Sequence, residues 1–215
     1  MHWSKTLPSI IKSRAIAVSV ATAAFGPLFV YSQTPPPPAP GARFVVVLDA
    51  SHGGEDSGGR LVSGQYEKAA TLAFSVRLRS LLNARGIPVI TTRESDITID
   101  ANRRAEMANH ANAQACLNLH VTESGSGIHL FTSSLEPSTA TRFVAWKTAQ
   151  AGWVTRSLVL AGALNSSLQQ AGVNVTLSRT ALIAVDSMTC PAVAVEMAPA
   201  RGPDGKVTAE PDDPD

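Results

Sequence analysis

FVVVLDA (44–50), followed at once by SHGGEDSGG (51–59), joins an apolar run of strand length to a glycine-rich turn. A run without polar alternation suits a strand covered on both faces. The theme recurs downstream. IPVITTR (87–93), ACLNLH (115–120) and PAVAVE (191–196) read as strands, GIHLFTS (127–133) as a further one, and ALIAV (181–185) joins PAVAVE in closing the domain. Helical patterns fall between them. From Glu67 to Ala84 the residues Ala70, Phe74, Leu78 and Leu81 share one side, and Gly86 stops the helix. Asp100 caps a helix containing Arg103, Arg104 and Ala108. Ser138, after Pro137, opens helical character that continues to Gln170 with a break near Gly152. Alternating strands and helices predict an α/β fold: a mostly parallel twisted sheet with helices on both faces, one domain over residues 43–200. There is no internal repeat.

In such sheets the reacting residues gather at the carboxyl ends of the strands. His52, His120 and Glu196 each sit at or just past such an end, and Glu67 opens the first helix. Gly53 and Gly54 beside His52 remove side chains and let the turn close around a ligand. Taken singly, each residue has a plain explanation. A loop histidine is often surface, a first-turn glutamate complements the helix dipole, and a strand-end histidine can be a satisfied core residue. Glu196 resists that treatment, because a carboxylate after four apolar residues is costly to bury unless paired or functional. Together, two imidazoles and a carboxylate make a ligand set used for catalytic zinc, with a fourth position for water. Glu196 is then placed to act on that water, which predicts a hydrolase. His129 alternates within its strand and reads as structural; Glu55, Asp56 and Glu123 fall where they could line a cleft.

The ends of the chain are of a different kind. Lys5, Lys12 and Arg14 precede an apolar run from Ala15 to Val30 that falls short of the roughly 20 residues of a spanning helix. Residues 1–32 are expected to be a signal peptide cleaved after Ser32 or an N-terminal anchor, so the protein is exported to the periplasm or cell envelope. QTPPPPAPGA (33–42) is an extended proline-rich linker, and residues 201–215 are an acidic disordered tail. A formal net charge of +1 without a basic block argues against nucleic acid as a partner. Contact with a membrane is expected only through the N-terminal segment, if it stays uncleaved. Cys116 and Cys190 are too few for a disulfide framework or a cysteine zinc site. Buried thiols are the plain expectation, and a single bridge between them is the alternative in an exported chain.

LDASHGGEDSGG, GQYEK (64–68), VITTRESD (89–96), the arginine-bearing pattern up to Ala108-Asn109, LNLH and PAVAVE resemble, in this order, the zinc-dependent N-acetylmuramoyl-L-alanine amidases of the amidase-3 family. The resemblance runs from Phe44 to Met197. It implies that His52, Glu67 and His120 bind one zinc ion and that Glu196 is the catalytic acid–base. It further implies that the substrate is peptidoglycan, cut between N-acetylmuramic acid and L-alanine; no activator protein is specified. Asp56 matches an acidic position that braces the glycine turn, and Arg93 and Arg103 match structural ion-pair positions. The chain departs from the pattern in three places. Asp49-Ala50-Ser51-His52 replaces Asp-Pro-Gly-His, Val121-Thr122 follows His120 in place of Ala-Asn, and Met197-Ala198-Pro199-Ala200-Arg201 follows Glu196. A final helix of the family is also not expected from the sequence after Met197. These departures keep two alternatives in view: a catalytically silent peptidoglycan-binding or regulatory module on the same fold, and a different zinc amide hydrolase.

Overall fold

Valine, leucine and alanine make the opening run β1 (Val46–Ala50), buried at every residue. It lies inside a six-stranded sheet with β2 (Val89–Thr91), β3 (Ala115–Val121), β4 (Ile128–Ser133), β5 (Val175–Thr180) and β6 (Ala192–Met197), in the order β2-β1-β3-β6-β4-β5. All neighbours are parallel except β4 and β6. This computed structural model describes residues 44–139 and 144–209. The expectations for residues 1–32 and 33–42, and the last part of the tail, lie outside the described residues.

Side chains alternate across a strand, and the two faces of this sheet differ. Val46, Leu48, Leu117, Leu119, Val193 and Val195 point to the face covered by α1 (Glu67–Ala84) and α3 (Val154–Gln170). Leu48, Leu119 and Leu130 are wholly buried there, each stabilising the fold by about 1.5–3 kcal/mol. Between α1 and α3 an apolar cavity of about 330 Å³ remains over Leu117 and Val195. Val47, Cys116 and Ala192 point to the other face, under α2 (Ala101–His110) and the single-turn α4 (Ile183–Asp186). Toward the carboxyl ends that second face turns polar, with Asp49, Asn118, His120, Glu196 and His129 succeeding the apolar residues. Helices therefore cover both faces, as the alternation predicts.

Four details correct the sequence expectations. ALIAV is not a strand: its last residues form α4, where the Leu182 N–H donates to Asp186 Oδ2. The place beside β4 goes instead to β5, whose VTLSRT sequence is mostly exposed, as suits an edge strand. No helix starts at Ser138; among the described residues of this segment, helical structure begins with a 3-10 helix, Trp146–Gly152, and the break near Gly152 separates it from α3. Part of the segment expected to be a disordered tail folds into an exposed hairpin, β7 (Ala200–Arg201) with β8 (Val207–Ala209), turned by Gly205 at φ +77°. The cysteines are not free thiols either. Cys116 and Cys190 are disulfide-bonded, with Cα atoms 6.2 Å apart.

Candidate metal centre

The turn after β1 takes a left-handed course, with φ +62° at His52 itself, +131° at Gly53 and +61° at Gly54. The backbone here lies against the loop after β2. A Cβ on Gly54 would come within 2.1 Å of Thr98 Oγ1 and 2.5 Å of Thr98 N, so no other residue fits. Asp96 accepts from Gly54 N at 2.6 Å, while Lys68 Nζ donates to Gly54 O and to Asp96. Gly58 closes the turn over the site. A Cβ there would lie 2.7 Å from His52 Cδ2 and 2.8 Å from Glu67 Oε2.

Three side chains converge beneath this turn. His52 Nε2 lies 3.1 Å from Glu67 Oε2, and His120 Nδ1 lies 2.8 Å from Glu67 Oε1. One ligand atom from each of the three residues falls within 4.8 Å of the others. The opposite ring nitrogens are held as well. His52 Nδ1 is 2.8 Å from Asp56 Oδ2, and His120 Nε2 is 3.0 Å from Asn118 Oδ1 and 2.9 Å from Ser51 Oγ. Asn118 spends its amide N–H groups on Asp49 and Ser51, so its oxygen faces the imidazole as acceptor.

This arrangement fits a metal cation. A neutral imidazole has one N–H, yet both nitrogens of each histidine face an oxygen acceptor. With the outer nitrogens donating to Asp56 and Asn118, the inner ones turn lone pairs toward the Glu67 carboxylate. At His52, between two carboxylates, only a proton or a cation resolves that opposition, whereas at His120 the Ser51 hydroxyl can also donate to Nε2; metal-bound histidines are held by such outer acceptors. A proton is the other way to resolve it, with the inner nitrogens donating to Glu67. Burial works against ionisation of Glu67, but hydrogen bonds from His120, His52 and the Gly59 backbone outweigh it and hold the carboxyl far below its usual range. The Glu67 hydrogen bond in turn raises His52 against the opposing effect of burial.

Glu196 stands next in the row. The register pairs His120 with Glu196 across β3 and β6, and both line a cleft of about 320 Å³ with Arg60, Leu61, Thr122 and Glu123. Glu123 does border the cleft, and it accepts from Val62 N; Glu55 is tied by its backbone to Thr98 instead. Asp56 accepts from Gly58 N as well as bonding His52, and so braces the turn. Arg93 supports the site from beneath, donating to the carbonyls of Ala50, Ser51 and Lys68. Arg103 does not: it is exposed and pairs with Glu106. The buried ion pair belongs to Arg104, which binds Asp49 at 2.6 Å and the Ala50 and His52 carbonyls. Sequence reasoning passed over Asp49, Asn118 and Arg104. The signal was there in Arg104, which shares the buried face of α2 with Ala108 at i, i+4.

Comparison with known proteins matches residues 46–204 to the family Amidase_3, N-acetylmuramoyl-L-alanine amidase. Over 80 residues the chain is 38% identical to N-acetylmuramoyl-L-alanine amidase AmiA of Escherichia coli strain K12, a match covering 37% of this chain and 28% of that protein. Over 127 residues it is 33% identical to AmiC of Escherichia coli O6:H1, covering 53% of this chain and 30% of the relative. The match thus spans under a third of the length of these curated relatives. Among solved structures, the N-acetylmuramyl-L-alanine amidase Ami1 of Mycobacterium smegmatis shares the fold with a TM-score of 0.59 at 21% identity, over 72% of this chain and 81% of that one.

Proposed function

The chain belongs to the N-acetylmuramoyl-L-alanine amidase family Amidase_3, and from that membership we propose that it hydrolyses the amide between N-acetylmuramic acid and L-alanine in peptidoglycan, using one zinc ion. The observation that carries the proposal is the convergence of His52, Glu67 and His120 within 4.8 Å, with Glu67 and His120 sharing a cleft with Glu196. His52 Nε2, a Glu67 carboxylate oxygen and His120 Nδ1 would hold the ion. When bound, zinc supplies Lewis acidity, polarising an amide carbonyl and acidifying water.

The chain's own residues do the rest. Asp56 and Asn118 keep the ligand lone pairs aimed inward. Glu196 takes a proton from the attacking water as its oxygen bonds to the carbonyl carbon. The carbon–nitrogen bond then breaks, and Glu196 delivers the proton to the departing L-alanine amine. Export to the periplasm or cell envelope accords with this substrate and with the buried disulfide, since such bonds persist in oxidising compartments.

The test begins with metal content. The purified full chain is expected to hold about one zinc ion, as a three-ligand set with an open fourth position does, and a His120→Ala variant to lose it. Digestion of peptidoglycan by the wild type releases stem peptides beginning with L-alanine. Glu196→Gln slows that release by at least about a hundredfold, the usual scale for a lost general acid–base. Release by the wild type no greater than background would leave a silent wall-binding module as the reading of this fold, and equal release by an active wild type and the variant would remove Glu196 as the acid–base.

A further inference from the structure

We propose that His129 is the positioning residue for Glu196, a role that rests on the assignment of Glu196 as the acid–base. The topology makes this role available. β4 is the strand that runs antiparallel to β6, and this reversal sets His129 directly opposite Glu196. His120, Glu196 and His129 thereby form one row across three neighbouring strands, on one face of the sheet. Directly opposed side chains in an antiparallel pair are close enough to interact, and His129 Nδ1 lies 3.0 Å from Glu196 Oε1.

The imidazole is itself held. Gly125, at φ +84°, approaches so closely that a Cβ there would lie 2.5 Å from His129 Cε1. Phe131 meets the ring edge-on, with centroids 6.3 Å apart and planes at 85°. A ring fixed on two sides makes a rigid donor. Glu196 needs one, because its side chain is 32% exposed and a glutamate at a cleft otherwise samples several rotamers. His129 holds Oε1 and leaves Oε2 to face the reacting proton. The base thus receives what the metal ligands receive from Asp56 and Asn118: an outer partner that fixes its direction.

A cross-strand pair that merely stabilised the sheet would show the same contact, so the test separates the two through coupling. The zinc-loaded full chain, His129→Ala, Glu196→Gln and the double variant are compared for peptide release from peptidoglycan. His129→Ala is expected to lower kcat about tenfold to a hundredfold, the scale for losing an orienting partner, with KM and zinc content unchanged. In the Glu196→Gln background the same change has no further effect, since a residue acting through Glu196 has nothing left to orient. His129→Asn recovers part of the rate, because its amide nitrogen stands where Nδ1 stood. Two results would overturn the role while Glu196→Gln remains impaired. One is a His129→Ala kcat within about twofold of wild type, and the other is an equal loss in both backgrounds. A fully active Glu196→Gln enzyme removes the underlying assignment and this role together.

Discussion

Asp49→Ala is expected to lower the free energy of unfolding by about 3–5 kcal/mol, the cost of stranding a buried charge. The carboxylate is wholly buried and has three partners: Arg104 Nη1 at 2.6 Å, Thr92 Oγ1 at 2.6 Å and Asn118 Nδ2 at 2.7 Å. Removing it leaves a buried guanidinium without its counter-charge, still tied to the carbonyls of Ala50 and His52. Urea unfolding of the two chains measures the difference. Asp49→Ala combined with Arg104→Met recovers part of the loss, because it is the uncompensated charge, and not the missing pair, that costs most. The same variant reaches the candidate metal centre. Asp49 orients the Asn118 amide, and the Asn118 oxygen holds His120 Nε2, so zinc affinity falls about tenfold to a hundredfold when that support goes. An Asp49→Ala chain that unfolds within about 1 kcal/mol of wild type would show that Arg104 finds other compensation.

The same polar layer explains what could be read from the sequence and what could not. His52, Glu67 and His120 were legible because each ends or begins an element, and topology gathers such ends on one edge. Asn118 lay in plain view inside ACLNLH, two residues before His120 and therefore on its face, yet its partner Asp49 is 69 residues away. Local pattern carries no information about that pairing. Arg103 and Arg104 differ by one helical step, about 100° of rotation, and only Arg104 turns toward the sheet. β5 escaped notice because an exposed edge strand need not carry an apolar run, whereas ALIAV, short and apolar, suits a buried strand and a helical turn equally. The pairing of His129 with Glu196 was not legible because it depends on β4 running against β6. That reversal appears only once the sheet order is known.

Loss of the Cys116–Cys190 bridge is expected to cost about 4 kcal/mol, since its ends are 74 residues apart and closing so long a loop restricts the unfolded chain strongly. The double alanine variant removes both sulfurs without burying a new hydroxyl. Its midpoint of thermal unfolding falls by roughly 8–16 °C, at about 2–4 °C per kcal/mol for a domain of this size. The bridge sits against Val47, Ala105, Ala108 and Met188, so in the folded protein a reductant reaches it only through opening of that core. Its effect on the site should be small by comparison. β3 and β6, which carry His120 and Glu196, are already aligned by their own ladder from Cys116–Ala192 to Val121–Met197. The native register does not need the sulfurs; the unfolded chain is what they constrain. Zinc content and initial rate at low temperature are therefore expected to match wild type while stability drops. A variant that keeps its stability but loses zinc would reverse this assignment, making the bridge a brace for the site instead of a restraint on the unfolded state.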